Sequence, residues 1–106
     1  MSPRRPRDGP QPPAADPVGL AFHLGALFIT PGAQAALTPQ EVLDALTRHV
    51  VCDWGDVGPE DWCANDRSLR ENTRLLSAYH NAARVKFWII TEADRSATTV
   101  LLPEEY

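Results

Sequence analysis

Apolar positions between residues 38 and 51 recur three and four apart, the spacing that places side chains on one face of a helix. Thr38 is a suitable N-cap, Pro39 suits the first helical position, and Glu41 stands where it completes a capping box. Arg48 and His49 fall in the last turn, where positive charge interacts favourably with the helix dipole. The pattern predicts an amphipathic helix whose apolar face consists of Val42, Leu43, Leu46 and Val50.

A second helix is predicted after the run CDWGDVG, whose glycines and aspartates indicate a turn. Pro59 suits its first position, and Glu60 and Asp61 lie in the first turn, where negative charge is favourable. One face of this segment carries few apolar side chains, so we expect a mostly polar, superficial helix. The residues on that face are Trp62, Asn65 or Asp66, and Leu69.

The last third of the chain alternates with a period of two, which is typical of strands. The run VKFWIITE at residues 85–92 is rich in β-branched and aromatic residues, and similar runs precede and follow it. The connections NAAR and ADRS are short enough for hairpins, so a three-stranded antiparallel meander is predicted. One face of the middle strand would carry Val85, Phe87, Ile89 and Thr91, and the other Lys86, Trp88, Ile90 and Glu92.

The apolar run at residues 18–30 predicts one more strand, roughly Ala21 to Ile29, with Gly25 as the place for a bulge. The segment GAQAAL after it is short enough for a single helical turn. The order of elements is therefore β-α-α-β-β-β. This order predicts one small α+β domain over residues 18–106, with the helices packed on one face of the sheet.

Residues 1–17 contain six of the ten prolines and almost no large apolar side chain, so a disordered Pro/Arg-rich tail is predicted there. Arg4, Arg5 and Arg7 against Asp8 and Asp16 give +1, and the net charge of −4 leaves −5 for the rest. The acidic charge disfavours sequence-independent binding of nucleic acid, because neutralisation of phosphates supplies most of that affinity, but the three arginines of the tail could still contact RNA or an acidic partner. No apolar run is long enough to span a membrane, and two cysteines are too few for a disulfide framework, so a cytoplasmic protein is expected.

Metal and cofactor motifs are missing from the sequence, which contains no G-x-G-x-x-G, P-loop or H-E-x-x-H, so no cofactor and no metal are expected. His49, Cys52, Cys63 and His80 lack the paired spacing of a structural zinc site. We expect His49 at the surface of a helix end and both thiols buried. Four acids could approach a hard cation but lack the spacing of an EF-hand loop: Asp53, Asp56, Glu60 and Asp61.

Catalysis is possible through two arrangements of polar residues. Ser77 or Ser96 could pair with His49 or His80 as nucleophile and base, although no nucleophile elbow is present. Alternatively, the sheet could carry a metal-independent ribonuclease site, which needs a base, an acid and a cation for the phosphate. The residues that could supply these roles are Arg74, Tyr79, His80, Lys86, Arg95, Thr98 and Thr99.

The hairpin connection TEADRSATT has both a structural and a binding interpretation. Asp94 can form an Asx turn and Arg95 can pair with a neighbouring acid, which would make the segment a self-satisfied turn. Exposed loops on a rigid sheet are also where binding residues concentrate. Together with the acids around the second helix, a candidate binding surface comprises Asp53, Trp54, Asp56, Glu60, Asp61, Asp66, Glu92, Asp94 and Arg95.

The segments CDWGD, RLLSAYH and WIITEADRSATTVLLPEEY together resemble a family of small bacterial proteins found on plasmids and integrative elements. The resemblance covers roughly residues 18–106, and the last nineteen residues are its most specific part. Some members carry a label that names subunit M of type I restriction enzymes. The methyltransferase motif N/D-P-P-F/Y is not found in this chain. The resemblance implies a mobile-element context and no assigned catalytic residues.

Two functional hypotheses follow. In the first, the chain is a non-catalytic accessory or anti-defence protein that binds a host or defence protein through its acidic surface and C-terminal hairpin. In the second, it is a small toxin-like ribonuclease that uses the sheet face. The acidic charge favours the first hypothesis.

Overall fold

The computed structural model describes residues 20–106, so the predicted tail at residues 1–17 lies outside the described residues. A small α+β domain is observed, as the sequence pattern predicts, and its four strands form one mixed sheet. Its strands and helices follow in chain order: β1 (Ala26–Ile29), α1 (Pro31–Ala36), α2 (Pro39–Val50), α3 (Pro59–Glu71), β2 (Leu75–His80), β3 (Lys86–Thr91) and β4 (Ala97–Leu101), with a final 3₁₀ turn at Pro103–Glu105.

The sheet has the spatial order β1-β4-β3-β2. β2, β3 and β4 form the predicted antiparallel meander, with Ser77 opposite Ile89 and Ile89 opposite Val100. β1 lies beside β4 and runs parallel to it, so β1 forms one edge of the sheet and β2 forms the other. The polypeptide between β1 and β2 contains the three α-helices of the described residues.

The predicted start of α2 is confirmed in detail. The hydroxyl of Thr38 accepts a hydrogen bond from the backbone N–H of Glu41, and the Glu41 carboxylate accepts one from the N–H of Thr38. This reciprocal capping box satisfies two donors that a helix start leaves unpaired. The short α1 is capped in a similar way by Thr30, whose hydroxyl accepts from the N–H of Ala33.

The core consists of two adjoining clusters. The larger joins α1 and α2 to the sheet through buried side chains that include Leu46, Phe87, Ile89 and Val100. The smaller surrounds the fully buried Trp54. Trp62 and Leu69 of α3 pack against the smaller cluster, which explains how a mostly polar helix is held.

Four details of the predicted pattern are wrong. The first strand begins at Ala26 rather than Ala21, because Gly25 adopts a left-handed conformation (φ +66°) where the chain meets the carbonyls of Ser96 and Arg95. Leu43 does not face the core and is 57% exposed. His49, expected at the surface, is fully buried, whereas the thiol of Cys63 is exposed.

The outer edge of β2 is covered. The Asn65 side chain of α3 donates to the carbonyl of Leu76 and accepts from its N–H. The backbone of residues 54–56 continues the edge, because Ala78 donates to the Trp54 carbonyl and Asp56 donates to the Ala78 carbonyl. These contacts occupy backbone groups that would otherwise be free at a sheet edge.

The C-terminal residues contact the start of α1 and strand β3. The Glu105 carboxylate accepts hydrogen bonds from the Thr30 hydroxyl and from the backbone N–H groups of Gly32 and Leu102. The Tyr106 ring contacts the Trp88 ring edge to face, with centroids 5.6 Å apart. None of the helices in residues 20–106 combines the length and apolar character needed to cross a lipid bilayer.

Candidate functional site

The residues proposed for a ribonuclease site are dispersed. Arg74 and His80 lie at opposite ends of β2. The Arg74 guanidinium donates to the Tyr106 hydroxyl and pairs with Glu92, at 2.8 and 3.3 Å. Tyr79 and Thr98 are buried, and Thr99 lies on the opposite face of β4 from Thr98. The structure therefore does not gather a base, an acid and a cation around one exposed phosphate position.

Of the residues proposed for the ribonuclease site, only His80, at the end of β2, retains acid–base geometry. His80 Nδ1 lies 2.6 Å from an Asp56 carboxylate oxygen at the surface, and Lys86 is directly opposite His80 on β3. Nearby, Arg48 forms a two-pronged ion pair with Asp53, at 2.8 and 3.2 Å. The Arg48 guanidinium also lies over the Tyr79 ring. Because Arg48 already has a carboxylate partner, a substrate phosphate would have to displace Asp53.

The Tyr79 hydroxyl has a structural role. It donates to the Asp53 carbonyl at 2.6 Å, and burial raises the pKa of Tyr79 to about 12. A phenol with this pKa is a weak acid at neutral pH and does not serve as a base. The hydrogen bond instead fixes the loop that carries Asp53 and Trp54.

Most of the acids proposed as a binding surface have internal partners. The Asp53 carboxylate is paired with Arg48, and this hydrogen bond holds the pKa of Asp53 below its usual value. The Asp66 carboxylate accepts from the indole N–H of Trp54 at 3.0 Å, and Trp54 itself has no exposed surface. Glu60 and Asp61 are exposed on the first turn of α3.

The hairpin segment around Arg95 is a structural connector. Asp94 forms the predicted Asx-type contact by accepting from the N–H of Ser96, and hydrogen bonds from the side chain and the backbone of Ser96 lower the pKa of Asp94. Arg95 does not pair with an acid. Its guanidinium donates to four backbone carbonyls, those of Ser68, Thr73, Glu92 and Ala93, at 2.7–3.2 Å. Arg95 therefore joins the β3–β4 turn to the C-terminal end of α3.

The structure brings together the one predicted serine–histidine pair that lies in the core. His49 Nδ1 is 2.5 Å from the Ser77 hydroxyl, and Nε2 is 2.9 Å from the Thr91 hydroxyl. Thr91 is 2.8 Å from Thr98, whose hydroxyl donates to the carbonyl of Leu24. All four side chains are fully buried, with Phe22 and Trp54 in aromatic contact with the imidazole.

The hydroxyl protons in this network determine the tautomer of His49. Thr98 uses its only hydroxyl proton on the Leu24 carbonyl, so it accepts from Thr91. Thr91 in turn accepts from Nε2–H of His49, which leaves Nδ1 to accept from Ser77. Burial, together with the charge of Arg95, lowers the pKa of His49 to about 3. The pair has nucleophile–base geometry, but no surface through which a substrate reaches it.

No metal centre is formed by the candidate ligands. Within residues 20–106, no group of three His, Cys, Asp or Glu side chains converges as a metal ion would require. Cys52 is half-buried and Cys63 is exposed, and both are free thiols. Burial raises the pKa of the Cys52 thiol, which makes it less reactive at neutral pH.

An apolar groove between β1 and α2 is a surface that was not predicted from the sequence. Its volume is about 240 Å³. Leu27, Leu43 and Val51 are each more than half exposed there. Such clustering of exposed apolar side chains marks interaction sites. We call this the β1–α2 groove; it is lined by Leu20, Leu24, Leu27, Leu43, Leu46, Thr47, Val50 and Val51.

A signal for the groove was present but ambiguous. Leu43 adjoins Val42, so the apolar stripe of α2 is one residue wider than it would be with Val42 alone. The core does not cover this extra width, because Leu43 is 57% exposed. Whether the extra side chain packs inward depends on how much sheet lies beneath it. β1 has only four residues, so Leu43 extends past the covered area.

Comparison with known proteins finds no match to this chain among family models, curated proteins or solved structures.

Proposed function

We propose that this chain is a non-catalytic accessory protein of a mobile genetic element that acts in the cytoplasm by binding a host or defence-system protein. The observation that carries the proposal is the β1–α2 groove, where three large apolar side chains are more than half exposed in an otherwise acidic domain. Exposure of such side chains has a free-energy cost that binding of a partner removes. An inhibitory, anti-defence role fits a binder of this kind.

The partner is expected to combine an apolar ridge with basic flanks. The apolar ridge would fill the groove, and the basic flanks would complement the charge of −5 that remains after residues 1–16 are subtracted from the total. Nucleic-acid-binding subunits of host or defence enzymes have such basic surfaces. The exposed Glu60 and Asp61 add negative charge of the kind that guides association.

The experiment is a paired capture and reconstitution. Tagged wild type and Leu43→Asp are used to capture partners from host lysate, and each captured protein is then purified and titrated against both. We expect Leu43→Asp to weaken binding about tenfold or more, because a buried leucine contributes about 1.5–3 kcal/mol. Ala83→Asp is the matched control, because Ala83 is exposed at the β2–β3 turn.

A partner that binds Leu43→Asp as tightly as wild type contradicts the groove as the binding surface. A growth assay addresses the enzymatic alternative. If expression arrests growth and Arg74→Ala, His80→Ala or Arg95→Ala relieves the arrest while the variants remain folded, the protein is a toxin rather than an accessory protein.

A further inference from the structure

We propose that this protein forms a symmetric homodimer in which β1 pairs antiparallel with β1 of a second copy, centred on Phe28, to make a continuous eight-stranded sheet. The proposal depends on the sheet edge and not on the identity of any partner bound in the β1–α2 groove. It can therefore fail while the proposed function stands.

The two edges of the sheet differ. The edge at β2 is covered by Asn65 and by the backbone of residues 54–56. At β1, the N–H of Ala26 donates to Ser96 and that of Thr30 donates to Val100. In a parallel ladder alternate residues bond to the neighbour, so Leu27 and Ile29 direct their backbone groups away from β4. Both residues are exposed.

β1 also lacks the features that protect sheet edges. Natural edge strands carry charged side chains, prolines or bulges that prevent pairing with another strand. β1 is ALFI, and its side chains are exposed on both faces of the sheet, with Phe28 at 56%. No Asp, Glu, Lys or Arg occurs between Asp16 and Glu41. Two copies of an acidic chain can therefore approach along β1 without bringing charged residues of this stretch together.

Only one twofold register uses the strand fully. A dimer centred on Leu27 would pair Ile29 with Gly25, which has left the strand conformation. A dimer centred on Ile29 would pair Leu27 with Pro31, which has no N–H to donate. Centring on Phe28 places Leu27 opposite Ile29 of the second copy and forms hydrogen bonds through both residues of each chain.

This register also places apolar side chains of the two copies opposite each other on both faces of the sheet. Phe28 meets Phe28 of the second copy on one face, in a non-hydrogen-bonded pair where side chains are closest. On the other face, Leu27 contacts Ile29 of the second copy. The two β1–α2 grooves then lie on the same face of one sheet, on either side of the twofold axis, so a partner would meet two grooves.

The experiment combines mass measurement with cysteine cross-linking. We expect wild type to have a solution mass about twice 11.7 kDa by light scattering. In a background with Cys52→Ser and Cys63→Ser, Phe28→Cys should form an intermolecular disulfide under mild oxidation, because non-hydrogen-bonded pairs have Cα atoms about 4.5 Å apart.

Leu27→Cys is the matched control, because it removes another exposed apolar side chain of the same strand. In the Phe28-centred register the two Leu27 positions are diagonal neighbours about 7–8 Å apart, too far for a disulfide. Leu27→Cys alone should not cross-link, whereas a mixture of Leu27→Cys and Ile29→Cys should give the mixed dimer.

Leu27→Pro completes the set. This substitution removes the backbone N–H of residue 27, which points away from β4 and makes no hydrogen bond within the sheet. The fold should therefore survive while the dimer dissociates to a monomer. Circular dichroism and thermal unfolding check that the fold is intact. A monomeric mass for wild type at high micromolar concentration overturns the proposal, as does equal cross-linking of Leu27→Cys and Phe28→Cys.

Discussion

The amide of Asn65 forms two hydrogen bonds with the backbone of Leu76, donating to its carbonyl at 2.7 Å and accepting from its N–H at 3.1 Å. One helical side chain thus takes the place of a neighbouring strand residue. Asn65 is buried, so water does not replace these contacts when the amide is removed.

Asn65→Ala is expected to lower the free energy of unfolding by about 2–3 kcal/mol, because it leaves both backbone groups of Leu76 without partners. Urea denaturation provides the measurement. Arg67→Ala, an exposed position on the same helix, should stay within about 0.5 kcal/mol of wild type. Equal stability of Asn65→Ala and Arg67→Ala would show that α3 does not hold the edge of β2.

Stability should fall as the pH is lowered below neutrality because of His49. Its pKa is about 3 in the folded protein and near 6.5 when unfolded, so the unfolded chain binds the proton first. The contribution of neutral His49 is complete above pH 6.5 and is lost as the pH falls toward 3. Between pH 7.5 and pH 5 we expect a loss of about 2 kcal/mol.

Urea titrations at several pH values test this expectation in a range where carboxylates remain ionised. His49→Gln should be less stable than wild type at pH 7.5 and should lose most of the pH dependence. His80→Gln, which changes an exposed histidine, should retain it. A pH dependence that persists in His49→Gln and disappears in His80→Gln would contradict the assignment.

Two arginines with positive φ allow a matched comparison of strain and hydrogen bonding. Arg84 (φ +66°) is exposed in the β2–β3 turn, and Arg95 (φ +61°) donates to four carbonyls from the β3–β4 turn. Arg84→Gly relieves the backbone strain and should leave stability between unchanged and about 1 kcal/mol higher. Arg95→Gly relieves the same strain but should cost about 2–3 kcal/mol.

Thermal unfolding of both glycine variants measures the difference. Arg95→Lys extends the test, because an ammonium cannot reproduce the planar arrangement of donors in a guanidinium. We expect Arg95→Lys to lie closer to Arg95→Gly than to wild type. If Arg95→Gly is as stable as Arg84→Gly, the guanidinium does not join the turn to α3.

Gly55 and Gly58 form a second matched pair. A Cβ on Gly55 would lie 2.6 Å from the Tyr79 ring, and the residue has φ +78°, whereas a Cβ on Gly58 would have no neighbour within 4 Å. Gly55→Ala should cost about 3 kcal/mol or more, from strain and overpacking together. Gly58→Ala should cost less than about 1 kcal/mol. Chemical denaturation of the two variants decides whether the backbone at Gly55 must lie against β2.

Local chemistry made much of the fold predictable. The α2 capping box, the proline starts of α2 and α3, and the alternation in residues 85–92 depend on residues close in sequence, so the elements and the meander could be predicted. The turn at Asp94 was predictable for the same reason, because its carboxylate accepts from the N–H of Ser96, only two residues away.

Contacts between distant segments could not be predicted. Pairing of β1 with β4 joins residues about seventy apart, and local propensity does not specify which strand a short apolar run will join. The same limit explains His49, which meets Ser77 and Thr91 only after α2 packs on the sheet. The separation of Arg74, Tyr79 and His80 has a local cause instead, because Arg74 and His80 lie at opposite ends of β2 and the adjacent residues Tyr79 and His80 point to opposite faces of the sheet.

The sequence by itself determined the element types, the α+β class and the acidic charge, because these follow from composition and short-range periodicity. The tertiary structure alone decided which apolar residues remain outside the core. β1 is a short edge strand beside β4, so it cannot cover Leu43 or its own Leu27 and Phe28. The exposed surface of this protein is therefore a consequence of strand order, which is set by packing over the whole chain.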